Sequence, residues 1–391
     1  MRPMRYISRR SACSSLLLAG PVLGFSRQLA AQTKHQKGNE LIYVGTYSKG
    51  IYGFRYDASN ANLESVGYLG EIENPSFLIL HPDHQYLYAV SELTGHGAPT
   101  GGVAAFSINH ENGKLTMLNK RSSEGSAPCH LALDKTSKML MVANYVTGTV
   151  SSFPVLENGS LGQLASLMKG SGHGPNKSRQ EGPHAHEVVV SADNRFAFVP
   201  DLGLDHIRIY KIDPATAKMT PSDPAFVQMK PGSGPRHLVF SGNEKFAYVI
   251  SELASTVTVF AYRPEDGSMT ELQTVSTLPP GFKGENGAAE IKIDYSGRFL
   301  YASNRGYDSI VVYAINKENG KLSEVQLEKI DGKMPRYIVF DPEGNYLLAG
   351  NQKSDNILVF KVDSTSGKIA PTGQNIPAPS PVCLAFLQHV R

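Results

Sequence analysis

The sequence predicts an all-β fold: a seven-bladed β-propeller of four-stranded antiparallel blades, closed by a blade that the N- and C-terminal strands share. Three observations predict it. A frame of similar residues recurs at spacings of 53, 57, 50, 53, 47 and 46 residues, and periods of that size signal repeated architectures. Within each unit, short runs rich in β-branched and aromatic residues alternate with turn formers, which is the mark of consecutive strands. The seventh unit stops after one strand at the C-terminus, while strands without a unit stand near the N-terminus.

The clearest unit runs from Gly234 to Phe260. Pro235-Arg236-His237-Leu238-Val239-Phe240 is followed by a polar break, then by Phe246-Ala247-Tyr248-Val249-Ile250-Ser251-Glu252, and then by Thr256-Val257-Thr258-Val259-Phe260. With Arg236 as position zero, a turn comes five residues on, an aromatic or apolar residue ten on, and a small polar residue fifteen on. The frame also fits at Ser76, Cys129, His186, Ala289 and Arg336, and in truncated form at Val382. After the third strand a Gly turn recurs, at Asn112-Gly113, Asn158-Gly159, Asp266-Gly267, Asn319-Gly320 and Ser366-Gly367. These dipeptides predict two-residue hairpins with positive φ at both central residues. The strands missing from the seventh unit are expected in Leu41–Gly45 and Ile51–Tyr56, where pairing with Pro381–Phe386 removes two open sheet edges.

Residues 1–31 are expected to be a cleaved export signal. Met1–Arg10 is basic, Ser14–Phe25 is mostly apolar, and Ala30-Ala31 supplies small residues. Ser8-Arg9-Arg10 resembles a twin-arginine signal with Ala12 in place of a large apolar residue, so general secretion and twin-arginine export both stand. Cys13 lacks the flanks of a lipidated cysteine. Residues 32–39 read as a polar linker and 40–391 as the propeller, in the periplasm or outside the cell. Charge is nearly balanced, 38 Lys and Arg against 35 Asp and Glu, which argues against a nucleic-acid or membrane footprint. No other apolar run is long enough to span a bilayer. Cys129 and Cys383 fall in blades that are not adjacent, so no disulfide framework is expected.

A ring points equivalent positions of its units at one central mouth. Position fifteen carries Ser, Asn or Asp throughout and reads as structural, each side chain bonding a local turn. Positions zero and sixteen differ from blade to blade. Position zero holds His186, Arg236 and Arg336; position sixteen holds Glu92, Tyr145, Glu252, Arg305 and Gln352. Ionisable side chains are rarely buried unpaired, so Arg236 with Glu252 reads either as a structural ion pair or as part of an anion-binding site with a proton-transfer partner. His184 and His186 alternate by two and could face one metal, but no third ligand is evident. The polar, cationic stretch Gly170–Gly182 is expected either as a plain surface loop or as a lid or anion-binding edge over the mouth.

Gly234-Pro235-Arg236-His237, Ser251-Glu252-Leu253, Asn304-Arg305 and Pro335-Arg336 with Gly350-Asn351-Gln352-Lys353 resemble the seven-bladed propeller lactonases. That family comprises the bacterial 6-phosphogluconolactonase type and its carboxymuconate-lactonising relatives, and the resemblance covers about Leu41 to Val390. It implies His186, Arg236, Glu252 and Arg305 as the catalytic residues. His184, His237, Arg336, Gln352, Glu92 and His130 complete the candidate substrate contacts. Lactone hydrolysis needs a base for water, donors for the oxyanion and a proton for the leaving alkoxide. These residues supply all three with no metal or other cofactor. With neither a Gly-x-Ser-x-Gly elbow nor a cysteine–histidine nucleophile evident, direct attack of water on a sugar lactone is expected. Three rival readings stand: a non-catalytic propeller that binds an acidic sugar or a protein, a carboxymuconate-type lactonising enzyme, and a calcium-dependent lactonase using Asn144, Asp201 and Asn304.

Overall fold

The computed structural model describes residues 39–95 and 100–387. The expected export signal and all of the linker but Asn39 lie outside the described residues. Within them the chain forms 28 strands and no helix, and the strands make seven antiparallel sheets of four. First strands of neighbouring blades pack on one another, as Pro235–Phe240 does on Gly287–Ile293 and Pro335–Phe340 on Pro381–Leu387. They therefore line the axis, and the later strands of each blade step outward.

The turn between first and second strands has one design. The N–H at position five donates to the carbonyl at position ten in six blades: His81 to Tyr86, Asp134 to Met139, Ser191 to Phe196, Ser241 to Phe246, Asp294 to Phe299 and Asp341 to Tyr346. In five of them the position-five side chain also accepts the returning N–H, at Asp134, Ser191, Ser241, Asp294 and Asp341. An Asp or Ser at that position thus reinforces a turn that the backbone bond alone closes at His81.

The Gly turns differ from the two-residue hairpins expected. The glycines have positive φ (Gly113 75°, Gly267 77°, Gly320 72°), but the residues before them do not. Gly113 N–H instead donates four residues back to Asn109, as Gly320 does to Asn316 and Gly367 to Asp363. Each loop is therefore one helical turn ended by a left-handed glycine. Asn109, Asn316 and Asp363 cap it with their side chains, which favours a longer loop over the tighter hairpin.

Pro381–Leu387 pairs with Asn39–Thr46, which continues to Lys49–Asp57 and Asn62–Glu73, so the seventh blade holds one C-terminal and three N-terminal strands. Apolar side chains fill the gaps between blades. Phe246, Tyr248 and Ile250 of one blade meet Leu300, Ala302 and Tyr313 of the next, so each blade buries its faces on its neighbours. Tyrosine hydroxyls add ties between blades: Tyr43 to Gly113 O, Tyr88 to Gly159 O and Tyr301 to Gly367 O at 2.8, 3.0 and 2.6 Å. Among the described residues the cysteines, Cys129 and Cys383, are free and buried.

Candidate active site

Position sixteen follows the second strand, and its N–H donates to the carbonyl two residues before position zero. This holds for Glu92 to Asn74, Glu252 to Gly234 and Gln352 to Met334, at 3.0, 2.7 and 3.0 Å. The backbone thereby sets positions zero and sixteen side by side at one end of the axis. At Gly234 (φ 61°) a Cβ would stand 2.5 Å from the Leu253 side chain. The same left-handed bend recurs at that offset in other blades, at Asn74, Ala127, Met334 and Ser380, and glycine makes it without steric cost before Arg236. The end of the axis opens into a cavity of about 960 Å³. His186, Glu252, Arg305, Arg336 and Glu92 line it, with Tyr47, Cys129, Tyr145, Arg179, Asn286 and Lys353. Arg236 stands just beneath, in a narrow compartment that shares Cys129 and Arg336 with the cavity.

Glu252 is the hub. Its Oε2 meets Arg305 Nη2 at 2.6 Å and Arg236 Nε at 3.3 Å, and its Oε1 takes Arg179 Nη2 at 2.6 Å. Burial alone would raise its pKa. The guanidiniums of Arg305 and then Arg236 outweigh burial and hold the carboxyl well below the usual range. Burial, then Arg305 and Arg336, brings Arg236 down to about 10, which leaves it cationic at neutral pH. Arg236 is aimed by bonds from Nη1 to Ala289 O (2.7 Å) and to the His237 ring (3.2 Å). Arg305 is held by Gly287 O and Ala288 O. Nη2 of Arg236 and Nη1 of Arg305 make no hydrogen bond to another described residue and remain as donors for a ligand.

His186 is 4% exposed. Burial, then the Arg236 charge and His237, pushes its pKa well below that of an ordinary histidine, so its ring is neutral at pH 7. Ring edges of Tyr145 (5.5 Å) and His237 (5.2 Å) wedge it in place. The Cys129 sulfur lies 4.0 Å from its Nδ1 and 3.3 Å from its carbonyl oxygen. That neighbour was not expected from the sequence. Burial drives the Cys129 thiol pKa upward, so it stays protonated and is no ready nucleophile.

Below this layer lies a second one, built from position one of the frame: Phe77, His130, Glu187, His237, Glu290, Tyr337 and Cys383. In blades two to five it alternates His, Glu, His, Glu. His130 stands 3.6 Å from Glu187, Glu187 4.0 Å from His237, and His237 3.1 Å from Glu290. Phe77 stacks near His130, ring centres 4.0 Å apart. Burial, then Glu290, raises Glu187 to about 8. His130 and His237, expected at the substrate, therefore lie in the floor beneath it. There His237 bonds Arg236 directly, and His130 packs against the His237 ring. Glu187 and Glu290 were missed, although a comparison of position one across blades shows them.

His184 is stacked flat on Tyr145 (4.6 Å, 14°), with its ring nitrogens at Tyr145 O and Glu181. It braces the cavity wall, and neither nitrogen is left for a metal beside His186. Gln352 is not among the lining residues; its neighbour Lys353 is. Glu92 is tied to Ser76 and to the Tyr47 hydroxyl, and burial raises its pKa. Arg336 sits 5.3 Å from the Tyr47 ring centre with no hydrogen bond to another described residue. Tyr47 belongs to the N-terminal strands, outside the repeat frame that starts at Ser76, so it was not found. The six position-fifteen residues are fully buried. Asn144 bonds Ser123 O, Asp201 takes the N–H groups of His184 and Gly203, and Asn304 bonds Thr277 O. The residues proposed for calcium thus stand in three separate blades, and among the described residues no group of three His, Cys, Asp or Glu is placed to hold a metal.

Residues 41–386 match the family model described as lactonase, 7-bladed beta-propeller. The chain is 35% identical to the 6-phosphogluconolactonase of Bacillus subtilis over 352 residues, 89% of this chain and 98% of that one. It is also 35% identical to the 6-phosphogluconolactonase of Formosa agariphila over 311 residues, 77% of this chain and 86% of that one. The solved periplasmic gluconolactonase of Pseudomonas aeruginosa superposes with a TM-score of 0.84 at 34% identity, covering 89% of this chain and 99% of that one.

Proposed function

Because this chain belongs to the seven-bladed β-propeller lactonase family, we propose that it hydrolyses a sugar lactone of the gluconolactone class by direct attack of water in the axial cavity. One observation carries the reading: a buried, neutral histidine and a pair of arginines joined by one carboxylate converge at the closed end of a cavity wide enough for a sugar. In this reading His186 takes a proton from water as the hydroxide adds to the lactone carbonyl. The free donors of Arg236 and Arg305 receive the oxyanion. Collapse breaks the ring C–O bond, and the alkoxide takes the proton back from the imidazolium. A histidine of lowered pKa is a weaker base but a better acid, which favours that second transfer. Glu252, ionised and shared by three guanidiniums, holds the arginines in register.

We further propose that residues 1–31 direct export, which favours an unphosphorylated aldonolactone because phosphorylated sugars are intracellular intermediates. The P. aeruginosa relative, named a periplasmic gluconolactonase, supports that choice. The test is hydrolysis by the purified protein of a panel of aldonolactones with and without phosphate. Turnover of at least one, with preference for the unphosphorylated form, is the expected result. If no lactone is hydrolysed while an acidic sugar binds, a binding module replaces this reading.

A further inference from the structure

The hydrolytic residues leave three cations of the cavity without a task, Arg179, Arg336 and Lys353, and of these Arg179 is the one bonded to Glu252. Arg179 comes from the stretch Gly170–Gly182 that precedes the first strand of blade three, and that loop is built to hold it. Gln180, next in sequence, is fully buried. Its Nε2 donates to Leu202 O at 2.8 Å, and its Oε1 accepts from Asn176 N–H at 3.1 Å. Arg179 N–H and Gln180 N–H both donate to Asn176 O, closing a turn. One residue further on, Glu181 meets His184, which is stacked on Tyr145. A plain surface connection does not need a buried glutamine anchor beneath its tip.

The anchored turn carries the guanidinium to the mouth side of Glu252. Nη2 bonds Glu252 Oε1 at 2.6 Å and the Tyr145 hydroxyl at 3.2 Å. Nε and Nη1 make no hydrogen bond to another described residue, and the side chain is 43% exposed. Arg305 and Arg236 hold the other oxygen of the same carboxylate from the closed end. Glu252 thus separates two cationic tiers, one at the reacting carbonyl and one facing the entrance. With Nη2 committed to Glu252 and Tyr145, the planar group is held in place while Nε and Nη1, on either side of Cδ, each keep a donor for one oxygen of a ligand.

We propose that Arg179 is a specificity-determining residue that binds the oxygen-rich exocyclic arm of the lactone. That arm stands on the far side of the ring oxygen from the carbonyl held by Arg236 and Arg305. The inference rests on the lactonase reading. Its ligand chemistry is shared by hydroxyl and phosphate oxygens, so both kinds of arm enter the test.

The measurement is the ratio of kcat/KM for glucono-1,5-lactone to kcat/KM for xylono-1,5-lactone, which has the same ring hydroxyls and no exocyclic arm. It is taken for the wild type, Arg179→Ala and Arg179→Lys, and repeated with 6-phosphogluconolactone as the numerator. Losing a charged two-point contact lowers the ratio about ten- to a hundredfold in Arg179→Ala, carried by KM, with partial recovery in Arg179→Lys. Arg236→Ala serves as the control, since damage at the carbonyl lowers both substrates together and leaves the ratio where it was. A larger fall in the phosphate series assigns Arg179 to a phosphate-bearing arm; equal falls assign it to hydroxyls. An unchanged ratio in Arg179→Ala overturns the inference while leaving lactonase activity intact. A wild type inactive on every lactone instead overturns the reading on which it rests.

Discussion

At the scale of the residue, the site is a problem in charge management. Three guanidiniums meet one carboxylate, and Glu252 remains ionised because Arg305 and Arg236 outweigh its burial. Arg236→Ala removes the donor aimed at the carbonyl and one partner of Glu252. Both binding and turnover are expected to suffer, with kcat/KM falling on the order of 100-fold or more in steady-state assays. A change confined to KM would show that Arg236 binds without stabilising the oxyanion. The pH profile follows from His186. Its pKa is lowered in the fold by burial and by Arg236, so the neutral, proton-accepting ring persists below pH 6.5 and is lost only as pH falls through the depressed value. The acid limb of kcat/KM is therefore expected below 6.5; a limb at or above 6.5 would assign it to another group. His186, Arg236, Glu252 and Arg305 were readable from the sequence because their offsets in the repeat break the uniformity of the other blades. Cys129 and Tyr145 sit at the same offsets, yet neither carries charge at neutral pH, so nothing in composition marks them out.

At the scale of the element, the repeat frame locates strands well because it is enforced by hydrogen bonds. An Asp or Ser at position five accepts the N–H at position ten, and the side chain is visible in the sequence. The Gly turns were placed correctly but given the wrong type. Asn-Gly suits a two-residue hairpin, and what overrides it is a capping Asn or Asp three residues before the dipeptide. The loop Gly170–Gly182 was expected either as a surface connection or as a lid or anion-binding edge, and it lies against Glu252. What decides this is the buried Gln180 anchor, which no local pattern reveals. Gly203 is the second anchor. A Cβ there would stand 1.8 Å from Gly182 O and 2.9 Å from the His184 ring. Gly203→Ala must displace the end of the loop, at a cost of about 1–3 kcal/mol. A lowered thermal midpoint together with a raised KM is the expected outcome. A lower midpoint with an unchanged KM would mean that the loop serves stability alone.

At the scale of the whole molecule, seven similar blades set unlike side chains in two stacked layers on one axis. Position zero and position sixteen form the reactive layer, and position one forms the His–Glu floor beneath it. The ring and its closure by Pro381–Leu387 on Asn39–Thr46 were evident from the repeat count and the missing strands. The floor was not, because assigning His130 and His237 to the substrate requires the depth of each position along the axis, and an offset in sequence does not give depth. The ring explains why the candidate residues are gathered at one end: only there do second strands from all seven blades return to the axis beside first strands. The central claim, that this end hydrolyses a lactone with His186 as base, is tested most directly by a pH-stat measurement of acid released from glucono-1,5-lactone by the wild type and by His186→Ala. The account predicts that kcat falls about 100-fold or more in the variant while KM changes little. Hydrolysis by His186→Ala at the wild-type rate would contradict it.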